Sequence, residues 1–181
     1  MVYRIKNIRL ILHTIVSVLL ISIVFSSFRY TEGTPEGYTG APTDGKDCSA
    51  CHKAKSKTVD DIITCNTENN TYEPLKTYSI KMHLKGNEKS KIFGFQISPQ
   101  NNKGKLSGKM IVTDAKQTKL ANAKYLNQTA AGVDGNVEKI WTFDWVAPAK
   151  GSGMLTFYGS FLIGGKTEIV YNSILQLNEK K

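Results

Sequence analysis

Two cysteines and a histidine stand together in the stretch Cys48-Ser49-Ala50-Cys51-His52. Peptides of the form Cys-x-x-Cys-His carry c-type haem: the two thiols bond to the haem vinyl groups, and the imidazole of the histidine binds the iron. The spacing therefore predicts a covalently bound haem c that is attached through Cys48 and Cys51, with His52 as an axial ligand of the iron.

The ligand on the other side of the iron is less well specified by the sequence. His83 is the other histidine after residue 30, so it is the candidate for this distal position. An open or water-bound position, or a ligand from a partner protein, is an equally good interpretation. Methionine is another haem ligand, but Met82, Met110 and Met154 lie among apolar strand residues, which predicts that they pack in the core.

Without haem, the same cysteines have other interpretations. Cys48 and Cys51 can form a disulfide bond, or a redox pair beside an incidental histidine. A redox pair of this kind normally lies at a helix start in a βαβ unit, which the strand pattern below does not contain. Cys65 is a third thiol. It is free or intermolecular if haem occupies the other two, it can pair with either of them if haem is absent, and in the simplest case it is buried and inert.

The first 30 residues form a distinct segment. Arg4, Lys6 and Arg9 precede an apolar run over residues 10–28, which is the pattern of a signal peptide, although the run is also long enough to be an uncleaved membrane anchor. Both interpretations predict an exported protein in the periplasm, on the cell surface or secreted, with residues 10–28 as its tether if the segment is retained.

The charge of the chain restricts its partners. The formal net charge is +9, and removing the three cations of the leader leaves +6, carried after Arg29 by lysine alone. Recognition of bases and bidentate binding of phosphate depend on arginine, so nucleic acid is not an expected partner. Dispersed lysines suit a redox partner protein with an acidic surface, or another anionic surface.

The elements that position the motif are predicted to be a loop and a set of strands. Residues 31–57 are rich in Gly and Pro and have no helical period, so they should form an ordered loop. From residue 58 onward the apolar period is two, and segment 77–85 places Met82 in the core and His83 toward solvent. Further strands are predicted at 91–98, 109–113, 137–146, 154–163 and 167–177.

About seven short strands with turns between them predict an all-β fold, an immunoglobulin-like antiparallel β-sandwich over residues 58–181. The polar stretch 114–136 is expected to be a functional or inter-sheet connection. The core faces of the two strands on either side of residue 150 are predicted to carry Val137, Trp141, Phe143, Trp145, Leu155, Phe157, Phe161 and Ile163.

Several short motifs in order resemble one known family. They are Gly-Tyr-Thr-Gly-Ala-Pro at 37–42, Phe-Gly-Phe-Gln at 93–96, Trp-Thr-Phe-Asp-Trp-Val-Ala-Pro at 141–148 and Leu-Thr-Phe-Tyr at 155–158. Together they resemble the Reelin-domain (Reeler) family, especially its exported bacterial "choice-of-anchor V" type domains with Cys-x-x-Cys-His. The resemblance covers residues 37–177 and implies an immunoglobulin-like sandwich. It implies no particular reaction, because such domains are generally treated as binding modules and the animal members carry no haem.

Two functions follow as expectations. The first is an exported monohaem c-type protein that transfers single electrons at the cell envelope or surface, and the second is a haem-free extracellular binding or adhesion domain with structural cysteines. Catalytic turnover ranks third, as peroxidase-like chemistry at an open haem position. The sequence has no Ser-His-Asp set and no zinc motif, so an electron carrier or a binding module is expected rather than an enzyme.

Overall fold

Alternating apolar residues build the strands of this chain. A computed structural model describes residues 33–180. The strands in this part of the chain are β1 (Ser56–Thr58), β2 (Ile63–Cys65), β3 (Thr71–Tyr72), β4 (Thr77–Lys85), β5 (Ile92–Asn101), β6 (Lys109–Ile111), β7 (Thr118–Leu120), β8 (Leu126–Gln128), β9 (Glu138–Val146), β10 (Leu155–Gly164) and β11 (Ile169–Glu179). The leader predicted over residues 1–30 lies outside the described residues. Between residues 33 and 180, no helix has the length and apolar character needed to cross a bilayer.

The strands form two sheets. The large sheet has the order β1-β11-β10-β5-β8-β7, with β3 also paired to β11, and the small sheet has the order β2-β4-β9-β6. Neighbouring strands are antiparallel except for β1 and β3, which run parallel to β11. This arrangement confirms the predicted all-β sandwich.

The core lies between the inner faces of the two sheets. On β4, alternate residues are buried, Met82 among them, as the sequence predicts. Aromatic rings join the sheets: the Trp141 ring lies 4.8 Å from the Phe95 ring, and the Trp145 ring lies 5.2 Å from the Phe157 ring, between centroids. Each such pair contributes about 0.5–1.5 kcal/mol beyond the burial of its area.

Three expectations need correction. Stretch 114–136 is not simply a connection, because it contains β7 and β8. These two strands belong to the large sheet, although in chain order they lie between β6 and β9 of the small sheet. Val137 has a φ of 68° and is 41% exposed, so it precedes the strand and does not belong to the core face. Met154 is 48% exposed, because β10 begins after it, whereas Met82 and Met110 are buried as expected.

The N-terminal segment, residues 33–55, lies on the outer face of the large sheet and is an ordered loop as predicted. Gln96 of β5 is fully buried and holds it: the Oε1 atom accepts from the Tyr38 N–H at 2.6 Å, and the Nε2 atom lies 2.8 Å from both Thr34 Oγ1 and the Pro35 carbonyl oxygen. Burying this amide without hydrogen-bond partners would cost free energy. The polar face of β5 is therefore built to receive the segment.

Candidate functional site

The Cys-x-x-Cys-His motif forms one helical turn. Cys48–Ala50 is a 3₁₀ helix, and the carbonyl oxygen of Cys48 accepts hydrogen bonds from the N–H groups of Cys51 (3.3 Å) and His52 (3.1 Å). The three motif residues therefore share one short turn, which lies within the ordered loop that the sequence predicts.

Asp47 starts this turn and ties it to the sheet. Its Oδ1 atom accepts from the Ser49 N–H at 2.8 Å, which is an N-cap, and its Oδ2 atom accepts from the Asn172 side-chain amide of β11 at 2.7 Å. Partial burial raises the pKa of Asp47, but the hydrogen bonds from Ser49 and Asn172 outweigh it and lower the pKa below the ordinary value. The carboxylate therefore stays ionised and holds the turn.

The two thiols of the motif have different surroundings. Cys48 is 3% exposed, and its N–H donates to Ser160 Oγ of β10 at 3.1 Å, whereas Cys51 is exposed. Burial raises the pKa of the Cys48 thiol to about 11. Both thiols are free in the structure.

His52 is held by a carboxylate from a distant part of the chain. Its Nδ1 atom lies 2.9 Å from Glu168 Oε1, and the Lys53 N–H donates to Glu168 Oε2 at 3.2 Å. A carboxylate accepts and does not donate, so the proton of this bond belongs to Nδ1. No signal in the sequence points to Glu168, because it lies 116 residues from His52 and forms no motif with it.

The structure does not bring His83 to the motif. His83 alternates along β4 with buried residues, so it lies on the outer face of the small sheet, where its Nε2 atom lies 2.7 Å from Glu138 Oε2. The hydrogen bond to His83 lowers the pKa of Glu138. Two axial ligands must face each other across one iron, and the outer faces of a sandwich point in opposite directions.

The third cysteine is also separate from the motif. Cys65 is half-buried at the end of β2, a small-sheet strand, and burial raises the pKa of its thiol to about 11. This agrees with an inert side chain. Among residues 33–180, no group of three or more His, Cys, Asp or Glu side chains is arranged to hold a metal ion.

The motif residues fit a c-type haem in kind, spacing and backbone conformation. Cys48 and Cys51 supply the two thiols and His52 supplies the imidazole, all within one turn, with Cys48 buried and Cys51 exposed. The packed loop does not expose the Cys48 sulfur, because this side chain is buried and its thiol lies within hydrogen-bond reach of Ser160.

Solved structures of similar shape identify the architecture. The reeler domain of human F-spondin superposes with a TM-score of 0.52 at 14% sequence identity, over 74% of this chain and 99% of that one. A structure of the Reelin-N domain of F-spondin gives a TM-score of 0.54 at 15% identity, over 71% of this chain and 93% of that one. The fold is Reelin-like. No family model matches the chain, and no curated protein matches it. In this Reelin-like sandwich, the motif turn lies on the outer face of the large sheet.

Proposed function

We propose that this chain is an exported c-type haem protein that passes single electrons to or from a partner. Cys48 and Cys51 would attach the haem, and His52 would bind its iron. The observation that carries the proposal is the helical turn at 48–52, in which one carbonyl oxygen accepts the N–H groups of both Cys51 and His52 and the two thiols and the imidazole keep the spacing of a haem-binding peptide. The charged and apolar leader favours export, and c-type haem is attached outside the cytoplasm. The leader and the motif therefore support the same proposal.

The chemistry comes from the haem, which when bound supplies reversible one-electron exchange at its iron. The protein residues hold and orient it: Asp47 caps the turn, Asn172 anchors Asp47 to β11, and Glu168 holds the imidazole of His52. The Cys48 thiol is covered in the packed loop, so it must react before the loop packs against Ser160 or turn outward when it does.

The expected partner is a redox protein with an acidic surface, or another anionic surface. Lys46, Lys53 and Lys166 are exposed on the motif or on the hairpin that carries Glu168. Their charges favour encounter with an acidic partner. The neighbouring carboxylates Asp47 and Glu168 are occupied by hydrogen bonds within the chain. Electron exchange with a partner requires no substrate pocket, so the proposal is an electron carrier rather than an enzyme.

The test is whether haem stays with the polypeptide. The full chain is expressed in a host that attaches c-type haem, purified, denatured in acid and guanidinium, and separated from free haem. We expect haem to remain on the wild-type chain and on Cys65→Ser, the matched control at the cysteine outside the motif. Cys48→Ser,Cys51→Ser should retain none. A denatured wild-type chain that retains no haem contradicts the proposal.

A second candidate is a haem-free extracellular binding or adhesion domain with a Reelin-like fold. The burial of Cys48 at 3% exposure favours it, because the thiol then acts as a small core residue that fastens the N-terminal segment to the large sheet. The same expression experiment separates the two. A folded wild-type chain without haem, destabilised by Cys48→Ser and insensitive to Cys51→Ser, supports the binding domain.

A further inference from the structure

The geometry points to Glu168 as the positioning residue that fixes the proton of His52 and lowers the reduction potential of the iron that His52 binds. This inference rests on the proposed haem attachment, and it adds a residue that lies outside the motif. Glu168 immediately precedes β11 in the hairpin after β10, while His52 lies in the N-terminal segment.

The first step concerns the tautomer of His52. Glu168 Oε1 lies 2.9 Å from Nδ1, and a carboxylate can only accept at this distance, so Nδ1 carries the hydrogen. In the neutral imidazole, the lone pair is then on Nε2, which has no hydrogen-bond partner within the described residues. The Nε2 lone pair is therefore available to bind iron, and the hydrogen bond at Nδ1 orients the ring.

The second step concerns the orientation of the carboxylate itself. Its two oxygens are used in different bonds, Oε1 by the imidazole and Oε2 by the Lys53 N–H at 3.2 Å. The side chains of His52 and Glu168 are 31% and 33% exposed. Two bonds therefore orient the carboxylate, and the Lys53 N–H helps to keep Oε1 against the imidazole.

The third step concerns the iron. A carboxylate that accepts from the far nitrogen of a ligating imidazole makes that imidazole a stronger electron donor. A stronger donor stabilises the oxidised, more highly charged iron more than the reduced iron, so the reduction potential falls. Replacing the carboxylate by an amide keeps an acceptor oxygen at the same place but removes the negative charge.

The chain contains a matched control. His83 and Glu138 form the same kind of pair, with Nε2 and Oε2 2.7 Å apart, on the outer face of the small sheet. Glu138→Gln makes the same chemical change away from the motif. An exposed pair of this kind contributes little to stability, so both variants should fold.

The experiment is a redox titration of the haem-loaded wild type, Glu168→Gln and Glu138→Gln, followed by the haem absorption spectrum. At a fixed poise near the wild-type midpoint, we expect Glu168→Gln to raise the Fe(II)/Fe(III) ratio about tenfold, which equals about 59 mV for a one-electron couple. Glu138→Gln should match the wild type. A folded, haem-loaded Glu168→Gln with the wild-type midpoint overturns the inference and leaves the proposed function standing.

A second readout needs no haem. In the haem-free wild type at a pH where His52 is neutral, ring-nitrogen NMR shifts should place the hydrogen on Nδ1. Glu168→Ala should shift the population toward the other tautomer, while Glu138→Ala should leave His52 unchanged. A His52 ring that is Nε2-protonated in the wild type contradicts the role of Glu168, whether or not haem attaches.

Discussion

The outer faces of the two sheets differ in what they carry. On the large sheet, polar side chains such as Gln96 and Ser160 are fully buried, because the N-terminal segment lies over them and uses their hydrogen-bonding groups. On the small sheet, the outward residues of β4 and β9 face solvent, and Ile140 is 43% exposed. The same alternating pattern therefore gives a docking face on one side and an ordinary solvated face on the other.

The two histidine–glutamate pairs show what this difference means for function. His83 and Glu138 lie on neighbouring strands of one solvated face, with Lys81 and Lys85 near Glu138. His52 and Glu168 join two separate parts of the chain, and the same carboxylate also accepts the Lys53 N–H. An identical pair of side chains thus becomes part of a candidate site only where a second segment is held against the sheet.

The largest difference in behaviour between the two faces is expected at the two thiols of the motif. In haem-free folded protein, we expect an alkylating reagent to modify Cys48 at least about a hundredfold more slowly than Cys51, because Cys48 is buried and its raised pKa leaves little thiolate. Mass spectrometry of digests over time measures both rates. In urea the two rates should converge, and equal rates in the native protein would show that the segment is not packed as described.

The next effect concerns the docking of the segment. Gln96→Ala should lower the free energy of unfolding by about 2 kcal/mol, because the buried partners of the amide, including the Tyr38 N–H, are left unsatisfied. Gln176→Ala is the matched control at an exposed glutamine of β11 and should change it by less than about 0.5 kcal/mol. Urea denaturation gives both values. If both variants lower the free energy of unfolding by similarly small amounts, the Gln96 side chain is solvated rather than buried.

A smaller effect is expected at the start of the motif turn. Asp47→Ala should lower the free energy of unfolding by about 1 kcal/mol through loss of the N-cap. The folded-state pKa of Asp47 is lowered, so its charge stabilises the protein above the unfolded pKa of about 4, and this contribution is lost as the pH falls through the folded pKa. The stability difference between wild type and Asp47→Asn should therefore shrink from pH 7 to pH 3. A constant difference would mean that the charge plays no part.

The smallest effect belongs to the solvated face. His83→Ala should change the free energy of unfolding by less than about 0.5 kcal/mol and leave the absorption spectrum of bound haem unaltered, since His83 lies on the opposite outer face from the motif. A changed spectrum would mean that the two faces communicate, or that a second molecule supplies His83.

The sequence predicts most of the sandwich because apolar and polar residues alternate along its longer strands, such as β4 and β9. Met82 in the core and His83 toward solvent follow directly from the period of two on β4. β7 and β8 are not predictable in this way, because each is three residues long and is fixed by pairing with strands distant in sequence. The exposure of Met154 has a similar cause, because it lies just outside the β10 ladder.

The candidate site could be predicted only as far as the motif reaches. Cys48, Cys51 and His52 are recognisable from their spacing, but the burial of Cys48 depends on Ser160, which is 112 residues away. Glu168 is equally distant in sequence from His52, and an isolated glutamate in a hairpin carries no signal of its own. Long-range contacts on the outer face of a sheet leave no periodic trace in the sequence.

The most direct test of the central claim is the mass of one peptide. Trypsin cleavage after Lys46 and Lys53 releases residues 47–53, which contain both motif cysteines and His52. From protein made in a host that attaches c-type haem, we expect this peptide to carry one haem through two thioether bonds. A peptide with two free thiols, or with a disulfide between Cys48 and Cys51, would contradict the account.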